Sequence, residues 1–411
     1  MSDPKPAKQD APLKLGYLVP QFPGQTHIFF WRELADLARL GVETTLFSTR
    51  PPPPGLISHD WSKEAMAHTI YLGEAAPRRV LGGLLHAPWG DILGEGGGKA
   101  FLRDALVCLP AAYRLVAECR ARGIDHVHSH SCGRAALICA LARRMGGPSY
   151  SLTLHGPMSD YGPGQGIKWR HASFATIITR KLLAEAEAEL GPDLPRDVTV
   201  QPMGVDTEDF KRTTPYQPPA PGAPLRLFAC GRLNMVKGHQ DLLSALRLLL
   251  DRGVDAELDI AGEDDVGGAG YHQDLQAHLD GLGLDRNARL LGAISAAEVR
   301  RHLLAADVFV LASWHEPLGV AYMEAMACGV PTIGTDAGGV RELITHGQDG
   351  MLVPPKDPER LADSIAALAG DPALCAALSE AGRRRVVDHF RSSLGAETLI
   401  KGVRRALTSD R

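Results

Sequence analysis

Two cations and two carboxylates carry the strongest chemical signal in the chain. Arg232 and Lys237 stand in the run Gly231-Arg232-Leu233-Asn234-Met235-Val236-Lys237-Gly238, between an apolar run and a helical pattern. A Lys at a helix N-terminus is opposed by the helix dipole unless an anion sits there too. The pair therefore reads as a phosphate clamp, with helix amides close by; two solvated surface cations are the other reading. Glu316 and Glu324 follow in Glu316-Pro317-Leu318-Gly319-Val320-Ala321-Tyr322-Met323-Glu324. This run places Glu316 in a loop before a helix and Glu324 about two turns into it. A carboxylate accepts two hydroxyl hydrogen bonds at once, which suits a ribose diol or a pyranose. For Glu324 a salt bridge within the helix is the alternative.

Other constellations are weaker. His126, His128 and His130 alternate along one strand face, as a metal cluster might be built. Only Asp125 accompanies them, so a strand end with one or two cleft-lining histidines is the better account. Gly94-Glu95-Gly96-Gly97-Gly98-Lys99-Ala100 lacks the spacing and hydroxyl of a phosphate loop, and no strand precedes it. Cys132 and Cys139 are expected to share a helix face as core residues.

These residues are positioned by short apolar runs that alternate with helical patterns. Strands are predicted at Leu13–Val19, Glu43–Ser48, His126–His130, Tyr150–Leu154, Ala175–Thr179 and Val198–Gln201. Helices between them include Ile28–Leu40, Arg134–Met145 and Lys181–Leu190. From Thr213 to Pro224 five prolines interrupt the pattern, which excludes regular helix and central strand. The alternation restarts at Leu225–Cys230, with strands at Ala256–Ala261, Arg289–Gly292, Val308–Ala312, Thr332–Thr335 and Met351–Val353. A largely helical tail runs from Pro358 to Leu407. Such βαβ order makes parallel sheets with right-handed crossovers. We expect an α/β protein of two doubly wound domains facing across a cleft: residues 12–210, a Pro-rich linker 211–224, residues 225–387, and a terminal helix 388–411. Glu74–Cys119 breaks the alternation. It reads as an excursion, a mobile acceptor-side element, or as ordinary helices covering a sheet edge. Arg78, Arg79 and Arg103 with Leu81, Leu84, Leu85 and Phe101 would give it a basic and apolar surface.

The order GRLxxxKG, ADVFVLAS, EPLGVAYMEAMACGVP and TDAGGVRELITHGQDGMLVPPKDPERLADSI resembles the retaining glycosyltransferases of family four, of GT-B architecture. The likeness runs from Leu225 to about Phe390. It is thinner in the first half, where Leu15–Gly41, with Pro20, Phe22, Thr26 and Glu33, looks like the opening of the exopolysaccharide-assembly subgroup. His126–His130 and Thr153-Leu154-His155-Gly156 fall where that family places acceptor-domain strands. The resemblance implies two Rossmann-like domains, with the C-terminal helix returning to the first. It implies that Arg232 and Lys237 neutralise a departing diphosphate and that Glu324 holds the nucleotide ribose. Glu316 would bind sugar hydroxyls, while Gly231, Leu318, Gly319 and Val320 would line the donor. His155 would approach the sugar from the opposite domain. Gly156 stands where many relatives have Asp, and Leu318 where Phe is usual. Gln21–Thr26 replaces a glycine-rich loop, so acceptor contacts do not transfer.

Composition is that of an ordinary globular protein. Among 411 residues 45% are hydrophobic and 22% charged, which excludes disordered and fibrous classes. The net charge of −4 gives no basic footprint for nucleic acid. Seven Cys without a CxxC pair argue against a disulfide framework or structural zinc. No apolar run suits a membrane span, so we expect a cytoplasmic protein, peripheral at most at the inner face of a membrane. The expected activity is retaining and metal-independent, without a cofactor. It would move sugar from a UDP- or GDP-linked donor to a glycan, plausibly lipid-linked in exopolysaccharide biosynthesis. The alternatives are a sugar-nucleotide 2-epimerase and a non-catalytic nucleotide-sugar-binding subunit.

Overall fold

The computed structural model describes residues 12–24, 27–52, 61–74, 76–220, 222–264 and 270–409. Thr26, in the opening likeness, lies outside them. The first half supplies β1 (Lys14–Gln21), β2 (Glu43–Arg50), β3 (Thr69–Tyr71), β4 (His126–Ser129), β5 (Ser149–Leu154), β6 (Phe174–Ile177) and β7 (Val198–Val200). They pair parallel in the order β3-β2-β1-β4-β5-β6-β7. The second half supplies β8 (Leu225–Cys230), β9 (Ala256–Ala261), β10 (Ala288–Gly292), β11 (Val308–Val310), β12 (Thr332–Thr335) and β13 (Met351–Val353), ordered β10-β9-β8-β11-β12-β13. In both sheets the strand order reverses beside the first strand, β1 or β8. Ligands of doubly wound sheets sit at the carboxyl ends of the strands around such a switch point.

Helices cover both sheets. On the first are α1 (Ile28–Arg39), α2 (Ser62–His68), α3 (Pro77–Leu85), α4 (Trp89–Gly94), α5 (Gly98–Arg122), α6 (Arg134–Arg144), α7 (Gln165–Arg170) and α8 (Arg180–Leu190). The second carries α9 (His239–Asp251), α10 (Tyr271–Gly281), α11 (Ala296–Ala305), α12 (Val320–Ala327), α13 (Val340–Leu343), α14 (Pro358–Gly370) and α15 (Pro372–His389). The final helix, α16 (Ser392–Ser409), returns to the first domain. There Arg405 pairs with Asp197 at 2.9 Å, and Gly402 lets the helix lie against the Phe174 ring. The chain crosses between domains twice, and the crossings are stitched together. Val205 N donates to Phe390 O, and Ser392 N to Val205 O, both at 2.9 Å.

Of the two readings of 74–119, the described residues follow the second: they form the helices α3, α4 and the greater part of α5. The 25-residue α5 continues through Pro110 and connects β3 to β4. Its buried stripe includes Phe101, Ala105, Cys108, Ala112, Leu115 and Cys119. Phe101 is therefore core and not part of the basic and apolar surface expected of it. The outer face is still apolar. Of 13 exposed large hydrophobics among the described residues, nine lie on α3, α4 and α5, so the apolar surface is concentrated there. Cys132 lies before α6 instead of sharing its face with Cys139, although both are buried. No single helix among the described residues is long and apolar enough to cross a membrane.

Candidate functional site

The loop after β8 turns through a 3-10 turn, Met235–Lys237, capped by the Asn234 side chain, which accepts from Lys237 N at 3.2 Å. Lys237 thus precedes α9 by a residue instead of opening it. Gly238, at φ +67°, leaves no room for a side chain, because a Cβ would fall 1.9 Å from the Ala312 carbonyl oxygen. That close approach draws the loop against the end of β11. Lys237 Nζ donates to Glu316 Oε2, so these two expected ligand groups are already partners. Arg232 is exposed on the same loop and lines the cleft. His239, fully buried behind it, is lowered to about 4 chiefly by burial and is neutral, which leaves Arg232 and Lys237 as the cations of this loop.

The loop after β11 is held from several sides. Trp314 N donates to Val236 O at 2.7 Å, its indole N–H to Asp241 at 2.6 Å, and Gly339 N to Glu316 O at 2.9 Å. Glu316 is 8% exposed and also accepts from the Ser313 hydroxyl at 3.3 Å. Gly319 adopts φ +99°, and a Cβ there would meet the Tyr322 ring at 2.3 Å. It opens α12, whose first amides have no intrahelical acceptor, and the first helical residues Val320 and Ala321 line the cleft. Because the helix starts only at Val320, Glu324 stands about one turn in, not two. Leu318 is buried, with its edge on the cleft.

The opposite wall comes from the first domain. His155 directly follows β5 and faces Lys237 and Glu316 across a cleft of about 520 Å³, beside Phe29, Ile178 and Met203. Gly156 follows it. A Cβ at 156 would lie 3.7 Å from the Asp160 carboxylate, so that carboxylate stands beside the position where many relatives carry Asp. Behind His155 sit His130, Glu33 and Tyr17. Burial lowers His130 and His155 to about 3 each, so both rings are neutral. Burial raises the Glu33 carboxyl, against the opposing pull of the Tyr17 hydrogen bond.

The alternating histidines do lie on one face, but they are a structural ladder. His126 bonds the hydroxyls of Ser149 and Ser151 at 2.8 Å each, and His128 those of Ser151 and Thr153 at 2.7 and 2.8 Å. His130 lies just past the strand and is 3% exposed, so the cleft is lined by His155 and not by the expected strand-end histidines. Among the described residues no group of three or more His, Cys, Asp or Glu is arranged to hold a metal ion.

The cleft continues into a second pocket of about 220 Å³ that the sequence did not point out. Its walls include Ala261, Gly262, Ile294 and Val299, with Glu324 and Arg232 on one side and Arg32 and Phe210 on the other. An apolar slot beside a carboxylate fits a flat heterocycle attached to a diol. The available signal was topological: β9 neighbours β8 at the switch point, so its carboxyl end had to contribute.

Two parallel α/β sheets that meet at their carboxyl ends, with cations and a helix N-terminus on one wall, define a two-domain GT-B glycosyltransferase. Residues 211–385 match the family described as "Glycosyl transferases group 1", and residues 28–192 the "Glycosyl transferase 4-like domain". The chain belongs to these group 1, family-four glycosyltransferases. It is 28% identical over 302 residues to the GDP-mannose-dependent alpha-(1-6)-phosphatidylinositol monomannoside mannosyltransferase of Mycolicibacterium smegmatis, spanning 67% of this chain and 75% of that one. It is 26% identical over 384 residues to the protein of that name in Mycobacterium tuberculosis, spanning 82% and 94%. The D-inositol 3-phosphate glycosyltransferase of an Arthrobacter species is 32% identical over 180 residues, but the match spans only 42% of its length and 43% of this chain. In fold, the chain resembles Anabaena Alr3699/HepE in complex with UDP and glucose, with TM-score 0.72, 18% identity and coverage of 95% and 99%. It also resembles the sucrose-phosphate synthase of Thermosynechococcus elongatus, with TM-score 0.73, 19% identity and coverage of 97% and 100%.

Proposed function

We propose that the chain is a retaining, metal-independent glycosyltransferase that moves a hexose from a nucleoside diphosphate sugar to a lipid-linked glycan of an exopolysaccharide pathway. One observation carries the reading: Arg232, Lys237 and the open amides of α12 converge on one wall of the cleft while neutral His155 stands on the other. Bond breaking at the anomeric carbon builds negative charge on the departing diphosphate. Fixed cations and amides aimed at that charge stabilise it without a divalent ion. The apolar pocket beside Glu324 takes the base, Glu324 the ribose, and Glu316 the hydroxyls of the sugar. Lys237 is paired with Glu316, and an arriving phosphate takes over that cation.

The lipid-linked acceptor rests on the exposed apolar face of α3–α5, where Arg78, Lys99 and Arg103 are exposed among leucines. This surface is tied to the segment after β5 between α4 and α5, where Glu95 accepts from Ile167 N at 2.8 Å.

The test incubates purified protein and EDTA with UDP- and GDP-hexoses, with and without membrane lipid extract. Nucleoside diphosphate release that depends on the extract, with the anomeric configuration kept in the product, is the expected result. Conversion of donor without acceptor would replace the reading by an epimerase, and binding without turnover by a non-catalytic subunit. A strict need for a divalent ion would overturn the metal-free part.

A further inference from the structure

Behind His155 lies a row of polar side chains that the transfer step above does not use. Glu33, on α1, is 4% exposed. Its Oε2 accepts the Tyr17 hydroxyl at 2.6 Å and lies 3.0 Å from Nε2 of His130, a close polar contact off the line of a hydrogen bond. On its far side His130 meets His155, Nδ1 to Nε2, at 3.3 Å. Aromatic packing fixes both rings: centroids of Tyr17 and Phe30 lie 4.4 and 4.8 Å from that of His130, and Phe29 lies 5.8 Å from His155. His27 and His128 are the other ionisable groups that bear on the row.

The row has a direction. Glu33 Oε2 receives the Tyr17 proton, so it acts as an acceptor, and it remains one even when burial places a proton on Oε1. A bare Nε2 would set its lone pair 3.0 Å from that oxygen, so the neutral imidazole of His130 keeps its ring proton on Nε2, where the contact is attractive. His130 Nδ1 is left bare and can only accept. The matching donor is Nε2–H of His155, and His155, also neutral, keeps Nδ1 without a proton. We propose that Glu33, acting through His130, holds His155 in the tautomer whose Nδ1 is a bare acceptor, so that the ring lining the cleft receives a hydroxyl of the donor sugar. Glu33 and His130 are positioning residues, and His155 is the group that meets substrate. This rests on the reading of the cleft as a sugar-transfer site. The row does the work that partners of metal-bound or catalytic histidines do elsewhere, fixing ring orientation and proton position.

The measurement is the 15N shift pattern of His155 in histidine-labelled protein, assigned by its loss in His155→Ala. The expected pattern is protonated Nε2 and bare Nδ1. Glu33→Gln keeps an oxygen acceptor facing His130 and should keep both the pattern and kcat. Glu33→Leu and His130→Phe remove the relay. Each should lower kcat about 10–100-fold, the range for groups that orient a working histidine, with donor KM changed less than about threefold. In a His155→Ala background the same changes should cost nothing further, because the effect passes through that ring. A wild-type His155 protonated on Nδ1 overturns the proposal without any variant. So does a kcat loss that persists undiminished in the His155→Ala background. If the wild type transfers no sugar, the functional reading fails, while the nitrogen shifts still decide the tautomer.

Discussion

Arg32 and Glu324 reach each other across the cleft, Nη2 to Oε1 at 2.9 Å, with their side chains 10% and 12% exposed. The cation comes from α1 of the first domain and the carboxylate from α12 of the second. Arg32 also lies over the Phe210 ring, 5.0 Å from its centroid. In the proposed donor complex a ribose diol claims both oxygens of Glu324, so it competes with Arg32. Because both side chains are about nine-tenths buried, desolvation offsets most of the pair's attraction and leaves a net competition on the order of 1 kcal/mol. Arg32→Gln should therefore tighten binding of the cognate nucleoside diphosphate about two- to fivefold by calorimetry. Weaker binding in that variant would mean that Arg32 touches the ligand instead of competing with it.

Lys237 is the cation most central to the proposed leaving-group contact. Lys237→Ala should lower turnover by about 10²–10³-fold, the usual scale for one group aimed at developing charge. Its backbone N–H is held by Asn234 whatever the side chain, so the loop keeps its turn, and only the lost pairing with Glu316 should lower the thermal midpoint. Near-normal turnover would remove the clamp.

The apolar face of α3–α5 makes a separate prediction. Leu81 and Leu85 are 59% and 71% exposed, so charging them costs the fold little. Burying a Leu is worth roughly 1.5–3 kcal/mol. The double variant Leu81→Glu with Leu85→Glu should lose at least about tenfold in affinity for phosphatidylglycerol vesicles. Nucleotide binding in water should be unchanged. Equal vesicle binding by variant and wild type would move the acceptor approach to another surface.

Buried histidines set an acid limit on stability. Burial holds His126 at about 3 in the folded chain, whereas an unfolded histidine titrates near 6.5. Between those values the unfolded chain binds the extra proton. Stability is thus fully present above about pH 6.5 and is lost as pH falls toward 3, by up to about 1.4 kcal/mol per pH unit for each such residue. His126→Gln should flatten urea-derived stability between pH 6 and 4.5 by about that slope. An unchanged slope would mean that His126 takes up its proton in the folded state.

Most of the strand order was legible because apolar runs of strand length recur with helical spacing between them. Leu225–Cys230, Ala256–Ala261 and Thr332–Thr335 fall where the pattern puts them. β3 escaped because Thr69–Tyr71 is too short to show a period. Pro110 and Arg114 masked α5, since a proline read alone suggests a break, and only the spacing from Phe101 to Cys119 marks its buried face. Motif residues on the donor wall were visible because they are contiguous in sequence. Arg32 and Glu324, 292 positions apart, were not paired by any local signal, and neither was the row from Glu33 to His155. The pairing of Lys237 with Glu316 was likewise hidden, because it depends on how two loops lie after folding.

The stitched crossings at Val205 and Phe390–Ser392 bear on how such enzymes can be recombined. A chimera cut once, in the linker after residue 211, takes its last helix from the donor-domain parent and sets it against a foreign α1. The exchangeable cassette is instead the stretch between the two stitched points. Grafting that cassette, with both seams cut together, keeps α16 beside the surface with which it was selected, and makes donor preference a part that can be transplanted.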